Sequence, residues 1–171
     1  MFNLNSVFEH IEGRWLINDS TFVCVGKIRK DFFYQYVCTH DEDFYEPLSS
    51  RVDLMAFAEK VSNLSTTFIV VTKNDIAGVV ASYFYNVEGR KGFITLVHTK
   101  RNYRGKHFAR YLIESVKKYA ESKGFLYIDL SVYKDNIAAF RLYHSVGFEV
   151  FKDEIDRWVL RCAIGYVIPG C

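Results

Sequence analysis

The sequence predicts an α/β fold of the α+β kind, a central sheet of mostly antiparallel strands flanked by helices, and three observations predict it. Residues 67–99 hold three β-branched and aromatic runs separated by short polar turns, the pattern of an antiparallel meander. Lys106 to Lys123 is amphipathic at helical spacing and lies between two strand-like runs, so the second of these strands returns parallel to the first. In Leu126-Tyr127-Ile128-Asp129-Leu130-Ser131-Val132 apolar and polar residues alternate, which gives a strand two distinct faces.

Residues 1–19 read as an N-terminal extension, in which Phe2, Leu4, Val7, Phe8 and Ile11 could share one helical face until Gly13 interrupts it. Residues 20–171 read as a single domain without repeats, low-complexity segments or linkers. Thr21 to Ile28 is β-branched and aromatic enough for a first strand. From Arg29 to His40, Phe32, Phe33, Tyr36 and Val37 recur at helical spacing, which favours a helix, although so many aromatics also suit a strand. The next segment is acidic, then turn-like around Pro47, with Ser49 and Ser50 placed to cap a helix running to Leu64. These two helices are expected over one edge of the sheet. Strands follow at Thr67–Val71, Ile76–Tyr85 and Gly92–Thr99, joined by turns at Lys73–Asp75 and Asn86–Lys91. The helix from Lys106 sets Phe108, Leu112, Val116, Tyr119 and Ala120 opposite Glu114, Lys117, Lys118 and Glu121, and stops at Gly124. After the alternating strand, Asn136 opens a short helix closed by Gly147, and Phe148–Lys152 and Arg157–Ile168 read as two last strands.

At 171 residues the chain can bury a core without disulfides or a structural metal. A net charge of +2 with both signs interspersed argues against nucleic acid as the main partner. Lys100, Arg101, Arg104, Lys106 and Arg110 do crowd beside the glycine turn, where a small polyanion such as a nucleotide fits. Cys24, Cys38, Cys162 and Cys171 form no C-x-x-C pair, so neither a metal site nor a redox motif is expected, and reduced cytosolic thiols are the default. The first residues lack a signal peptide's basic start and apolar run, and no stretch has the roughly 20 apolar residues of a membrane span. A cytoplasmic protein without a membrane partner is expected.

The chemistry centres on Tyr103-Arg104-Gly105-Lys106-His107-Phe108-Ala109. A helix opening there leaves its first N–H groups unpaired and the positive end of its dipole exposed, so the expected guest is an anion such as a pyrophosphate. Helix-opening glycines serve ordinary turns more often than phosphates. A second constellation, Asn136-x-x-Ala139-x-x-x-Tyr143-x-x-x-Gly147-Phe148, sets a polar side chain at a helix entrance and a phenol two turns along the same face.

From Ile94 to Phe148 these motifs resemble the GNAT superfamily of N-acetyltransferases. That family's Arg/Gln-x-x-Gly-x-Gly/Ala loop reads here Arg104-Gly105-Lys106-His107-Phe108-Ala109, and its later pattern is met by Asn136, Ala139, Leu142, Tyr143, Gly147 and Phe148. The resemblance implies a GNAT-like sheet whose parallel strands splay to admit acetyl-CoA as cosubstrate, with no metal. It implies that Arg104 and the amides of Gly105, Lys106, His107, Phe108, Ala109 and Arg110 hold the pyrophosphate, and that the backbone of Val97, His98 and Thr99 pairs with the pantetheine arm. Asn136, with Ala139 a turn along, steadies that arm, and Tyr143 protonates the departing thiolate. His107 departs from the family's glycine, so its Cβ and ring must point away from the phosphates, or else add a contact to them.

The base that takes the amine's proton is not evident, since Phe93, Thr95 and Val97 offer no carboxylate. His98 is the candidate, with Glu88, Asp129, Tyr83 and Tyr85 behind it. Phe44 to Leu54, with Phe57, Ala58 and Lys60, resembles a segment of bacterial GNAT proteins of surface-polysaccharide synthesis that are thought to acetylate nucleotide-linked amino sugars. The expected function is therefore direct, acetyl-CoA-dependent N-acetylation of a small-molecule primary amine, an amino sugar being preferred. A protein or peptide amine, for which Asp41, Glu42 and Asp43 speak, is one alternative, and a non-catalytic acyl-CoA-binding module is another. The aromatic final strands could pair across a homodimer interface.

Overall fold

A computed structural model describes residues 3–165. Its eight strands are β1 (Phe8–Asn18), β2 (Thr21–Ile28), β3 (Ser65–Thr72), β4 (Asp75–Asn86), β5 (Lys91–Thr99), β6 (Tyr127–Tyr133), β7 (Glu149–Asp153) and β8 (Arg157–Ala163), and they form one sheet in the order β1-β2-β3-β4-β5-β6-β8-β7. The helices are α1 (Lys30–Thr39), α2 (Leu54–Leu64), α3 (Phe108–Ser122) and α4 (Ile137–Ser145). Every neighbouring pair is antiparallel except β5 and β6, which α3 connects in parallel.

Each face of the sheet carries its own core. On one, Phe33, Tyr36 and Val37 of α1 and Ala58 and Val61 of α2 pack on Cys24, Ile69, Val71 and Val79. On the other, Leu112, Ile113 and Val116 of α3 and Tyr143 of α4 pack on Val23, Phe68, Val80 and Leu160. The first two helices thus cover a face and not an edge. Strands β2 to β4 are apolar on both sides, and only a helix layer on each side removes both from water.

The largest departure from expectation lies in residues 8–18. They form no helical face: they are β1, the edge strand, paired with β2 from Phe8↔Ile28 to Asn18↔Thr21. Ile11, Gly13, Trp15 and Ile17 are half-buried between exposed Glu12, Arg14 and Leu16, a period of two that overrides the helical spacing of Leu4, Val7 and Ile11. Gly13 sits beside a bulge instead of interrupting the element, and Gly26, opposite Ile11, permits the close approach, since a Cβ there would lie 2.1 Å from the carbonyl oxygen of His10. The cap of α2 is also different: Asp53 accepts from the Ala56 N–H at 2.7 Å, while Ser49 and Ser50 belong to the 3-10 turn Leu48–Ser50. Lys73 and Asn74, at φ of 50° and 59°, make the tight hairpin between β3 and β4. Residues 166–168 of the expected last strand lie outside the described residues.

Two irregularities of β5 open the sheet beside it. Its register with β4 passes from Ser82↔Ile94 to Ala81↔Leu96, so Thr95 is an extra residue. Such a bulge turns all later side chains to the opposite face. Ile94 accordingly joins the α3 core and Leu96 the α1–α2 core, with His98 beyond it against Tyr36. Pairing with β6 runs only from Lys91↔Tyr127 to Ile94↔Leu130, after which β6 continues against β8 as far as Tyr133↔Arg157. Among the described residues Thr95 to Thr99 therefore has no strand partner on its β6 side. No helix among the described residues is long and apolar enough to cross a membrane.

Candidate active site

The parted strands enclose a cleft of about 180 Å³ between Thr95, Leu96 and Val97 of β5 and Ser131, Val132 and Tyr133 of β6. Asn136, Ala139 and Tyr143 line it from α4, and Phe44, Tyr45, Glu46, Leu48 and Arg51 of the α1–α2 connection close it together with Arg157. Asn136 caps α4, its Oδ1 accepting from the Ala139 N–H at 3.2 Å, so its own side-chain N–H groups stay available to another acceptor. Tyr143 is 9% exposed, and burial pushes its phenol up to about 12, so it holds its proton throughout the neutral range.

Beside this cleft, Thr99, Tyr103, Arg104, Gly105, Leu142 and residues 107–110 line a depression at the N-terminus of α3. Gly105 has φ +75° and a Cβ built on it would meet nothing within 4 Å, so bare backbone faces open space. His107 has φ +63°, the left-handed region, and makes no side-chain cap bond although it stands at the N-cap. The loop thus keeps a glycine-like shape at a residue that has a Cβ. Arg104 donates to the Thr99 carbonyl at 3.2 Å and to the Asp43 carbonyl at 2.6 Å, while Arg101 donates to the Glu42 carbonyl at 2.7 Å and pairs with the Asp43 carboxylate. The two arginines tie the segment after α1 to the loop before α3. Arg110 reaches the Ser145 hydroxyl at 3.0 Å, and Lys106 lies over the Tyr103 ring.

The sequence-derived candidates for the base do not meet in the cleft. The bulge sends His98 behind Phe44, 3% exposed, with Nδ1 2.7 Å from the Tyr36 hydroxyl. Burial, reinforced by the neighbouring His40, lowers its pKa to about 4. Asp129 is held by both nitrogens of an Arg161 fork at 2.7 Å, Glu88 and Tyr85 are exposed on and beside the β4–β5 turn, and Tyr83 is buried with its phenol pushed up by desolvation.

Glu46 stands there instead, as the one carboxylate among the cleft-lining residues. Its Oε2 accepts from the Tyr133 hydroxyl and lies 3.7 Å from Nε of Arg51, and Arg157 donates to the same Tyr133 hydroxyl, its guanidinium 3.8 Å from the ring centroid. Glu46 and Tyr133 are 87 residues apart, so no local spacing announces this group. The signal the sequence carries for it is that Glu46 and Arg51 fall in the Phe44–Leu54 segment singled out above.

A family model described as acetyltransferase (GNAT) family matches residues 28–148. Among solved structures, the ribosomal-protein-S18-alanine N-acetyltransferase from Escherichia coli matches with a TM-score of 0.68 at 16% identity, covering 87% of this chain and 98% of that one. The PaiA N-acetyltransferase from Thermoplasma acidophilum in complex with coenzyme A matches with a TM-score of 0.66 at 14% identity, covering 82% and 98%. A spermidine N-acetyltransferase SpeG chimera from Vibrio cholerae and hSSAT matches with a TM-score of 0.67 at 18% identity, covering 82% and 95%. No curated protein matches the sequence. At these identities the likeness to solved structures is one of fold.

Proposed function

Because this chain belongs to the acetyltransferase (GNAT) family, we propose that it uses acetyl-CoA to acetylate a primary amine directly, without a covalent enzyme intermediate. The observation that carries the reading is the parting of β5 and β6 beyond Ile94 and Leu130. The residues present fit the cosubstrate: bare backbone at Gly105 and the start of α3 for a pyrophosphate, an unpaired strand edge at Thr95 to Thr99 for an amide-bearing arm, and a protonated phenol between them. Acetyl-CoA supplies the activated acetyl group and a weakly basic thiolate as leaving group.

The chain's own residues then divide the work. Amides from Gly105 to Arg110 hold the phosphates, and Val97, His98 and Thr99 hold the arm through their backbone. Asn136 offers its amide N–H groups beside Ala139. Tyr143 delivers its proton to the leaving thiolate. On the acceptor side Tyr133 takes the amine's proton as its own passes to Glu46, which leaves the phenol neutral and Glu46 protonated, while Arg157 on the same hydroxyl holds it in orientation.

Two guanidiniums, Arg51 and Arg157, face a single carboxylate in the cleft lining, which favours an amine that also carries an anion, as a nucleotide-linked amino sugar does. The peptide alternative draws less support, because its acidic stretch is engaged internally: Asp41 accepts from the Ser49 N–H at 2.9 Å, and Asp43 is paired with His40 and Arg101. The test is thiol release from acetyl-CoA across nucleotide-linked amino sugars, polyamines and short peptides, with Tyr143→Phe protein as the blank. Release with one class, absent in the variant, supports the reading and names the acceptor. Retained acetyl-CoA binding with no release from any amine would favour the binding-module alternative.

A further inference from the structure

We infer that His40, Asp43 and His98 form a binding site for a divalent transition-metal ion, with Zn²⁺ the best match, which pins the segment after α1 to β5. His40 closes α1, Asp43 ends the 3-10 turn that follows, and His98 comes from β5. Nδ1 of His40 is 3.1 Å and Nε2 of His98 is 3.5 Å from the same oxygen, Oδ2 of Asp43, and the three atoms all lie within 4.8 Å of one another. A tetrahedral ion with bonds of about 2.0–2.1 Å separates its ligands by about 3.3 Å, so two of the three edges already have the required length. The third is no longer than 4.8 Å, and the His40 ring lies at the rim of the group, 18% exposed.

An independent observation points to a ligand. Nε2 of His98 is buried and has no hydrogen-bond partner among the described residues, because its 3.5 Å approach to Asp43 fails hydrogen-bond geometry. A buried polar atom left this way is uncommon and costly. The opposite ring nitrogen is held by the Tyr36 hydroxyl at 2.7 Å, which fixes the ring and aims Nε2 toward the cluster. Arg101 likewise holds Oδ1 of Asp43 and leaves Oδ2 facing both imidazoles. Two imidazoles and one carboxylate suit Zn²⁺ and related ions, whereas Mg²⁺ and Ca²⁺ favour all-oxygen sets.

The guanidiniums of Arg101 and Arg104 oppose a dication. Arg101 is neutralised by Asp43 and Arg104 is bound to backbone carbonyls, so they lower the affinity without abolishing it. The site lies outside the cleft lining, and Glu46 and Arg51 follow Asp43 on the same connection. The ion's part is therefore to hold that connection in place, not to take part in acyl transfer.

Chelator-treated full-length protein titrated with Co²⁺ decides the matter. The expected result is one saturable equivalent with the visible absorption of a tetrahedral site, displaced by one equivalent of Zn²⁺. His40→Ala is expected to weaken binding at least tenfold with an unchanged circular dichroism spectrum, since its ring is at the rim, and His98→Ala to do the same if it folds. His10→Ala and Cys38→Ser, at exposed positions, should leave the titration unaltered. A wild-type protein with no saturable equivalent, or binding that survives His40→Ala but is lost in a surface variant, overturns the assignment. No arm uses acetyl-CoA, so failure here is separate from failure of the transferase reading.

Discussion

Replacing His107 by glycine should stabilise the protein, and the size of the effect follows from the backbone. The residue sits at φ +63°, ψ 13°, a region that costs an L-residue about 1–2 kcal/mol and glycine nothing. Glycine's extra freedom in the unfolded chain returns about 0.5–1 kcal/mol of that. No capping bond is lost, since the imidazole makes none. The net gain is on the order of 0.5–1 kcal/mol, or a rise in Tm of roughly 1–4 °C for a chain of this size. Reversible thermal unfolding of His107→Gly and His107→Ala measures it, with alanine expected near wild type because it keeps the left-handed strain. Acetyl-CoA affinity, read by calorimetry, should be unchanged or tighter in the glycine variant. A glycine variant that melts at or below wild type would refute the strain argument. Affinity several-fold weaker in both variants would show instead that the imidazole contacts the anion.

The cleft and the buried thiols supply further tests. Tyr143→Phe should lower kcat by about 10²–10⁴ while acetyl-CoA binds within twofold of wild type, and equal turnover would remove the phenol from the mechanism. Glu46→Gln should cause a loss of similar size in kcat/KM with cosubstrate affinity intact; an unchanged rate would place the base elsewhere. Because burial raises the Tyr143 phenol to about 12, its proton stays on in folded and unfolded chains alike below about pH 10, and stability falls only above that, where the unfolded chain ionises first. The rate should therefore rise from pH 7 as the amine loses its proton and then level off, and a descending limb near pH 8–9 would exclude this acid. Cys38 is exposed, whereas burial pushes the Cys24 thiol up to about 11 and raises that of Cys162. Alkylation at pH 8 with peptide mapping should then label Cys38 before Cys24 and Cys162, which are spared until the chain unfolds.

The sequence by itself determined the elements whose signals are local. Period-two and period-3.6 patterns, the Asn136 cap and the stops at Gly124 and Gly147 all act within a few residues, so strands β2 to β8 and all four helices were legible. The two motifs around Arg104 and Asn136 were legible for the same reason, as each is a helix start with its own chemistry. Strand β1 was not, because the helical spacing of Leu4, Val7 and Ile11 competes with the alternation of Ile11, Gly13, Trp15 and Ile17, and only pairing with β2 decides between them. Tertiary structure alone decided which face His98 occupies, since one extra residue at Thr95 inverts the remainder of β5. It alone brought Glu46 to Tyr133 and Arg157, and His40 and Asp43 to His98, because side-chain groups distant in sequence meet only when separate elements pack, and no periodicity records which distant elements will do so.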